Sequence, residues 1–219
     1  MEGTLMKTGF RIAALSAVAA VLLAVSATGQ VTTNSLPAGF TAADFAALTF
    51  SPEQVVLGLD NFNNTIFTAG VSYAVATATG APGDYFYWYR VNAKNFVLPA
   101  DSIGRITVNL NTALIKTVGP VLQFGQYENN GVGPLSLVAQ GVTPLKISWD
   151  ATPNGDGLFA GETSYLWVVS TWPPAARVSM QIIDGGVATA HVPAPIPEPL
   201  SMTMAGLGLA AIAALRRKA

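Results

Sequence analysis

Through the middle of the chain, apolar and polar residues alternate. In "GRITVNL", Ile106, Val108 and Leu110 face one way while Arg105, Thr107 and Asn109 face the other. In "LKISWD", Leu145, Ile147 and Trp149 oppose Lys146, Ser148 and Asp150. In "RVSMQI", Val178, Met180 and Ile182 oppose Arg177, Ser179 and Gln181. A side-chain period of two marks strands with one face in a core and one in water. "AGVSYAVATA", "DYFYWYRV", "PVLQFGQY" and "TSYLWVVST" also read as strands, on their β-branched and aromatic content. Turn clusters separate them: "TGAPGD", "ENNGVGP", "TPNGDG" and "IDGG". Short strands at this spacing, without long helical patterns between them, predict an all-β body, an antiparallel β-sandwich over residues 28–191. One short helix is predicted at "TAADFAAL", where Thr41 can cap and Asp44 follows three residues on. No internal repeat is visible.

The pattern changes at both ends. Lys7 and Arg11 precede an uncharged, mostly apolar run from Ile12 to Val25, and Val25-Ser26-Ala27 supplies small side chains. This is the layout of a secretory signal peptide over residues 1–27, too short for a spanning helix of about 20 residues. It implies the Sec translocon and signal peptidase as partners, the alternative being a retained N-terminal anchor. At the other end "VPAPIPEP", residues 192–199, reads as an extended proline-rich spacer. Leu200 to Leu215 then runs without charge, and Arg216, Arg217 and Lys218 follow. As a helix that run would reach about 24 Å, short of the roughly 30 Å hydrocarbon core. The basic cluster would stay in the cytoplasm, so residues 200–219 form a weak, single transmembrane sorting helix.

Pro197-Glu198-Pro199, a marginal apolar stretch and the terminal cluster Arg216, Arg217, Lys218 together resemble the PEP-CTERM sorting signal of exported bacterial proteins. The resemblance implies recognition by an exosortase, a transpeptidase-like membrane enzyme that cleaves near the motif and releases or re-attaches the body. It also implies a Gram-negative, exopolysaccharide-producing setting. Across roughly residues 66–186 the body is similar to a looser pattern in the same family: "YFYWYRV", "ITVNL", "ISWD", "GETSYLWVVS" and "DGG" in order. That likeness implies a β-rich exported body and no established activity.

Composition sharpens this picture. The chain is 51% hydrophobic and only 11% charged, against about 25% charged for an ordinary soluble domain, and its apolar excess sits largely at the two ends. Residues 31–195 carry six Lys/Arg against ten Asp/Glu, a balance of −4, and show no basic patch for nucleic acid. There is no cysteine, which excludes disulfides, thiolate metal sites, a cysteine nucleophile and a lipid-modified anchor. A body of about 165 residues can bury a sufficient core without staples.

Candidate chemistry is sparse. His191, the one histidine, sits beside the spacer, where nothing would hold an imidazole rigidly enough for catalysis or a metal, and reads as a solvated linker residue. Asp150, Asn154, Asp156 and Glu162 could offer oxygen ligands to calcium. Thr152, however, stands where an EF-hand would put its first acid, and Asn154-Gly155 and Asp156-Gly157 form turns readily. Tyr85, Tyr87 and Tyr89 share one face of a strand. If exposed, they would be a stacking platform for sugar rings; if central, part of a core and a cross-strand ladder. Asn63-Asn64-Thr65 matches the glycosylation sequon but also reads as a turn. No spacing identifies a catalytic carboxylate pair, and no nucleotide or zinc motif is present. The sequence therefore points to a non-enzymatic envelope or matrix protein without cofactor or metal, associated with surface exopolysaccharide. The alternatives are a secreted glycan-acting enzyme and a permanently anchored adhesin.

Overall fold

The computed structural model describes residues 35–98, 101–118, 121–127, 137–143, 145–151 and 157–195. The signal-peptide region 1–27 and the tail from residue 196 onward lie outside these.

The described chain is all-β apart from two short helical turns. Its elements are α1 (Ala42–Ala46), β1 (Gln54–Leu59), β2 (Thr65–Ala78), β3 (Ala81–Phe96), β4 (Arg105–Val108), a 3-10 turn (Thr112–Leu114), β5 (Thr117–Val118), β6 (Val121–Leu122), β7 (Phe124–Tyr127), β8 (Leu137–Thr143), β9 (Lys146–Ala151), β10 (Thr163–Ser170), β11 (Pro174–Asp184) and β12 (Gly186–Pro195). The helix expected at Thr41 is present. Asp44 N–H donates to the Thr41 hydroxyl at 3.1 Å, and Thr41 N–H donates to the Asp44 carboxylate at 2.8 Å, the reciprocal bonds of a capping box.

Ten strands form one antiparallel sheet in the order β7-β10-β3-β2-β1-β12-β11-β4-β9-β8, with β5 and β6 as a separate hairpin. Here the sequence expectation needs correcting. Two separate packed sheets were predicted, and one curled sheet is found. Its middle is thin: among the described residues, β1 and β12 share the single register pair Leu59↔Val187. The sheet doubles over there, so five strands on each side face one another. The shared core takes Val71, Tyr87, Tyr89, Leu166 and Phe124 from one half, and Ile106, Trp149, Met180, Ile182 and Val192 from the other. At the opposite edge the halves meet again, where Trp149 Nε1 donates to the Gly125 carbonyl at 3.1 Å and the Phe124 and Trp149 rings pack edge to face. The two facing layers are as expected, and the connection between them differs.

The outer face of the first half is not wet. Phe86, Trp88, Trp167 and Val169 point away from the main core, and the N-terminal segment covers them. Phe40 packs on Phe86 and Trp88, Phe45 on Trp88, Tyr127 and Tyr165, and Trp167 Nε1 donates to the Ser35 carbonyl at 3.1 Å. The second half keeps a polar outer face. It carries the Arg105–Asp150 ion pair at 2.6 Å, a Thr107–Ser148 hydroxyl bond at 3.0 Å, and an Asn109-to-Ser179 bond at 2.7 Å.

The first four residues predicted as spacer are strand instead. Val192–Pro195 are the last four residues of β12, paired to β11 from Asp184↔Gly186 to Pro174↔Pro195. Sheet prolines are tolerated where no ladder bond is required, and past Leu59↔Val187 no further register pair joins β12 to β1. "PVLQFGQY" also divides, into β6 and β7.

Candidate functional site

The strand that leads to the tail is locked at both sides. Ala188, Ala190, Val192 and Ala194 are buried in the core, with Thr189 and His191 outward. Gln54 Nε2 donates to the His191 carbonyl at 3.2 Å, and the Tyr89 hydroxyl donates to the Pro193 carbonyl at 2.9 Å. His191 is therefore a strand residue opposite Ser179, exposed but not on a linker. Pro195, the last described residue, is itself buried. Pro197, Glu198, Pro199, Arg216, Arg217 and Lys218 lie outside the described residues.

Tyr85, Tyr87 and Tyr89 do not form a platform. Tyr87 and Tyr89 are fully buried in the main core, and Tyr85 is half-buried against it. Strand β3 sits between β2 and β10, so its tyrosine face turns inward and its Phe86/Trp88 face lies under the N-terminal segment. The Tyr87 hydroxyl donates to the Trp172 carbonyl at 2.7 Å, which satisfies it inside the protein. Burial pushes both phenols well above the usual tyrosine range. Rings packed on both faces cannot stack on a sugar.

The loop singled out for calcium is divided. Asp150 is held by Arg105, and Glu162 accepts from Phe159 N–H at 2.9 Å; Asn154 and Asp156 fall outside the described residues. The sequon region is a turn, with Asn63 at φ 62° and Asp60 accepting from Phe62 N–H and Asn64 N–H, each at 2.8 Å. Among the described residues no three His, Cys, Asp or Glu side chains gather as a metal site would require.

One cluster escaped sequence reading. Asp101, in the loop after β3, and Asp184, at the β11–β12 turn, hydrogen-bond through their carboxyls. Partial burial, the neighbouring Asp101 charge and that bond push Asp184 up to about 6. Ser102 N–H donates to the Asp101 carboxylate at 3.3 Å, which fixes one partner. No signal in the sequence would have found it, since 82 intervening residues separate the two acids.

Against known families, the chain matches one model, described as the PEP-CTERM protein-sorting motif, over residues 195–218. No curated protein and no solved structure matches the chain. The motif thus begins at the buried residue that ends β12.

Proposed function

From a chain that carries a PEP-CTERM protein-sorting motif, and so is an exported protein targeted to an exosortase, we propose that the folded body is a non-enzymatic component of the envelope or extracellular matrix. Residues 200–215 span the inner membrane transiently, with Arg216, Arg217 and Lys218 in the cytoplasm. An exosortase cuts near Pro197-Glu198-Pro199, and the body reaches the surface and associates with its exopolysaccharide. The observation that carries this reading is the motif's position: it starts at Pro195, the last residue of β12, so a cut near Pro197-Glu198-Pro199 leaves that strand whole.

The outer face of β4 and β12 supports the polysaccharide association, because its exposed Arg105, Thr189 and His191 present polar groups that suit hydrated glycans. Replacing Pro197-Glu198-Pro199 by three alanines in the native host tests the sorting step. The account expects the variant to accumulate uncut in the inner membrane. Normal release of the variant would contradict it. Retention of the purified body on host exopolysaccharide tests the second step, and passage without delay removes the glycan association alone.

A further inference from the structure

We propose that the end of the body from which the tail leaves is a lipid-contacting surface. It is built by Val118, Leu145 and Trp172, flanked by Lys146 and Arg177, and lies against an anionic bilayer while the tail is held there. This rests on the reading above that residues 200–215 span the membrane.

The argument begins with reach. Only Ile196–Pro199 separate the buried Pro195 from the apolar run. Four residues extend at most about 14 Å. The headgroup layer alone is about 5–7 Å deep on each side. A sixteen-residue run is also short for the hydrocarbon core, which draws its flanks toward the bilayer. Even fully extended, these residues therefore keep the end of β12 within about 10 Å of the headgroups.

Topology then fixes which end faces down. β12 runs toward Pro195, and Pro174 pairs with Pro195, so the β10–β11 loop with Trp172 is adjacent. β9 begins at that end, which places the β8–β9 turn and Leu145 there. Lys116 N–H donates to the Val169 carbonyl at 2.8 Å, and Val169 N–H to the Gln123 carbonyl at 2.9 Å. The β5–β6 hairpin, with Val118, therefore projects past the last rungs of β10 toward the same end.

These residues are exposed although apolar: Leu145 72%, Val118 58% and Trp172 38%. Three separate loops place them at the same end, and tryptophan favours the membrane interface because its ring is apolar and its N–H polar. Charge follows the same axis. Lys116, Lys146 and Arg177 lie toward the tail end, where Asp84 is buried and paired with Lys116; Asp44 is held by Thr41 in the α1 cap and Glu53 is paired with Lys94. Asp60, Asp101, Asp150, Glu162 and Asp184 gather at the other end, with Arg105. That end also exposes Phe62, Val97 and Leu98, but its acids repel anionic lipid and the tail does not leave from it. Ten residues of β12 separate the two ends by about 30 Å, enough for a label to tell them apart.

The chain has no cysteine, so single replacements can be labelled uniquely. Full chain carrying Val118→Cys, Leu145→Cys, Trp172→Cys or Phe62→Cys is reconstituted into phosphatidylethanolamine/phosphatidylglycerol vesicles with an environment-sensitive dye. Nitroxide placed at headgroup depth is the quencher, and a Leu207→Cys label with deep nitroxide reports tail insertion. Labels at 118, 145 and 172 should lose more than half their emission, and the label at 62 should be unaffected. Leu145 is so exposed that its replacement carries the test even if Trp172→Cys fails to fold. An inserted tail with no quenching at 118 and 145, or with equal quenching at 62, overturns the proposal and leaves the sorting role standing. A tail that does not insert overturns both.

Discussion

The Tyr89 hydroxyl donates to the Pro193 carbonyl at 2.9 Å, and both residues are buried. One bond thus ties β3, in the first half of the sheet, to the strand that carries the sorting tail. Tyr89→Phe keeps the ring but leaves the Pro193 carbonyl buried and unsatisfied, which costs about 1–3 kcal/mol. Thermal unfolding of the body should begin about 3–6 °C lower. An unchanged midpoint would mean that water satisfies the carbonyl and the tie contributes little.

Trp149 makes the matching connection at the far edge, through Nε1 to the Gly125 carbonyl. Trp149→Phe removes that donor and opens a gap against Phe124, costing about 3 kcal/mol or more. Urea unfolding should show the lower midpoint. A cost below about 0.5 kcal/mol would deny that the two edges are joined there.

The N-terminal segment is a cover for aromatic surface. Phe45 touches Trp88, Tyr127 and Tyr165 at ring distances of 5.1, 4.8 and 5.1 Å. Phe45→Ala should cost about 2–4 kcal/mol and red-shift the tryptophan emission as Trp88 meets water. Emission identical to the parent's would show that the segment does not depend on this ring.

Asp184 and Asp101 give the body a pH dependence of known sign. The folded-state pKa of Asp184 is raised from 3.8 to about 6, so the folded protein holds that proton more tightly than the unfolded chain. The resulting stabilisation is complete below about pH 4 and is lost as pH rises through about 6. Asp184→Asn should therefore be more stable than the parent at pH 7.5, by about 1 kcal/mol once solvent screening is allowed for. The difference should vanish at pH 4. A variant less stable at pH 7.5 would refute the like-charge account.

Much of this arrangement could be read from period-two alternation, because β4, β9 and β11 each put apolar side chains on one face and polar ones on the other, even where Thr107 and Ser148 are themselves buried. What escaped lacked that contrast. β12 was mistaken for turn and spacer because its inward residues include the small Ala188, Ala190 and Ala194 and its end holds Pro193 and Pro195. β1 turns Val55, Leu57 and Leu59 outward, while Gly58, inward, makes way for the Phe67 ring, so its pattern is inverted. The tyrosine face was visible, but its environment was not: both faces of β3 are buried, one by the other half-sheet and one by residues 36–50. In the tail, by contrast, function is written as a linear order of motif, apolar run and cations, which needs no fold to be legible.

The central claim is that the tail is a handle removed at the edge of an intact sheet. Mass spectrometry of the mature protein from its native host, with its C-terminal peptide sequenced, tests this directly. The account predicts a C-terminus within a few residues of Pro197-Glu198-Pro199, with β12 complete to Pro195 and residues 200–219 gone. A mature chain that still ends at Ala219, or one cut inside β12, would contradict it.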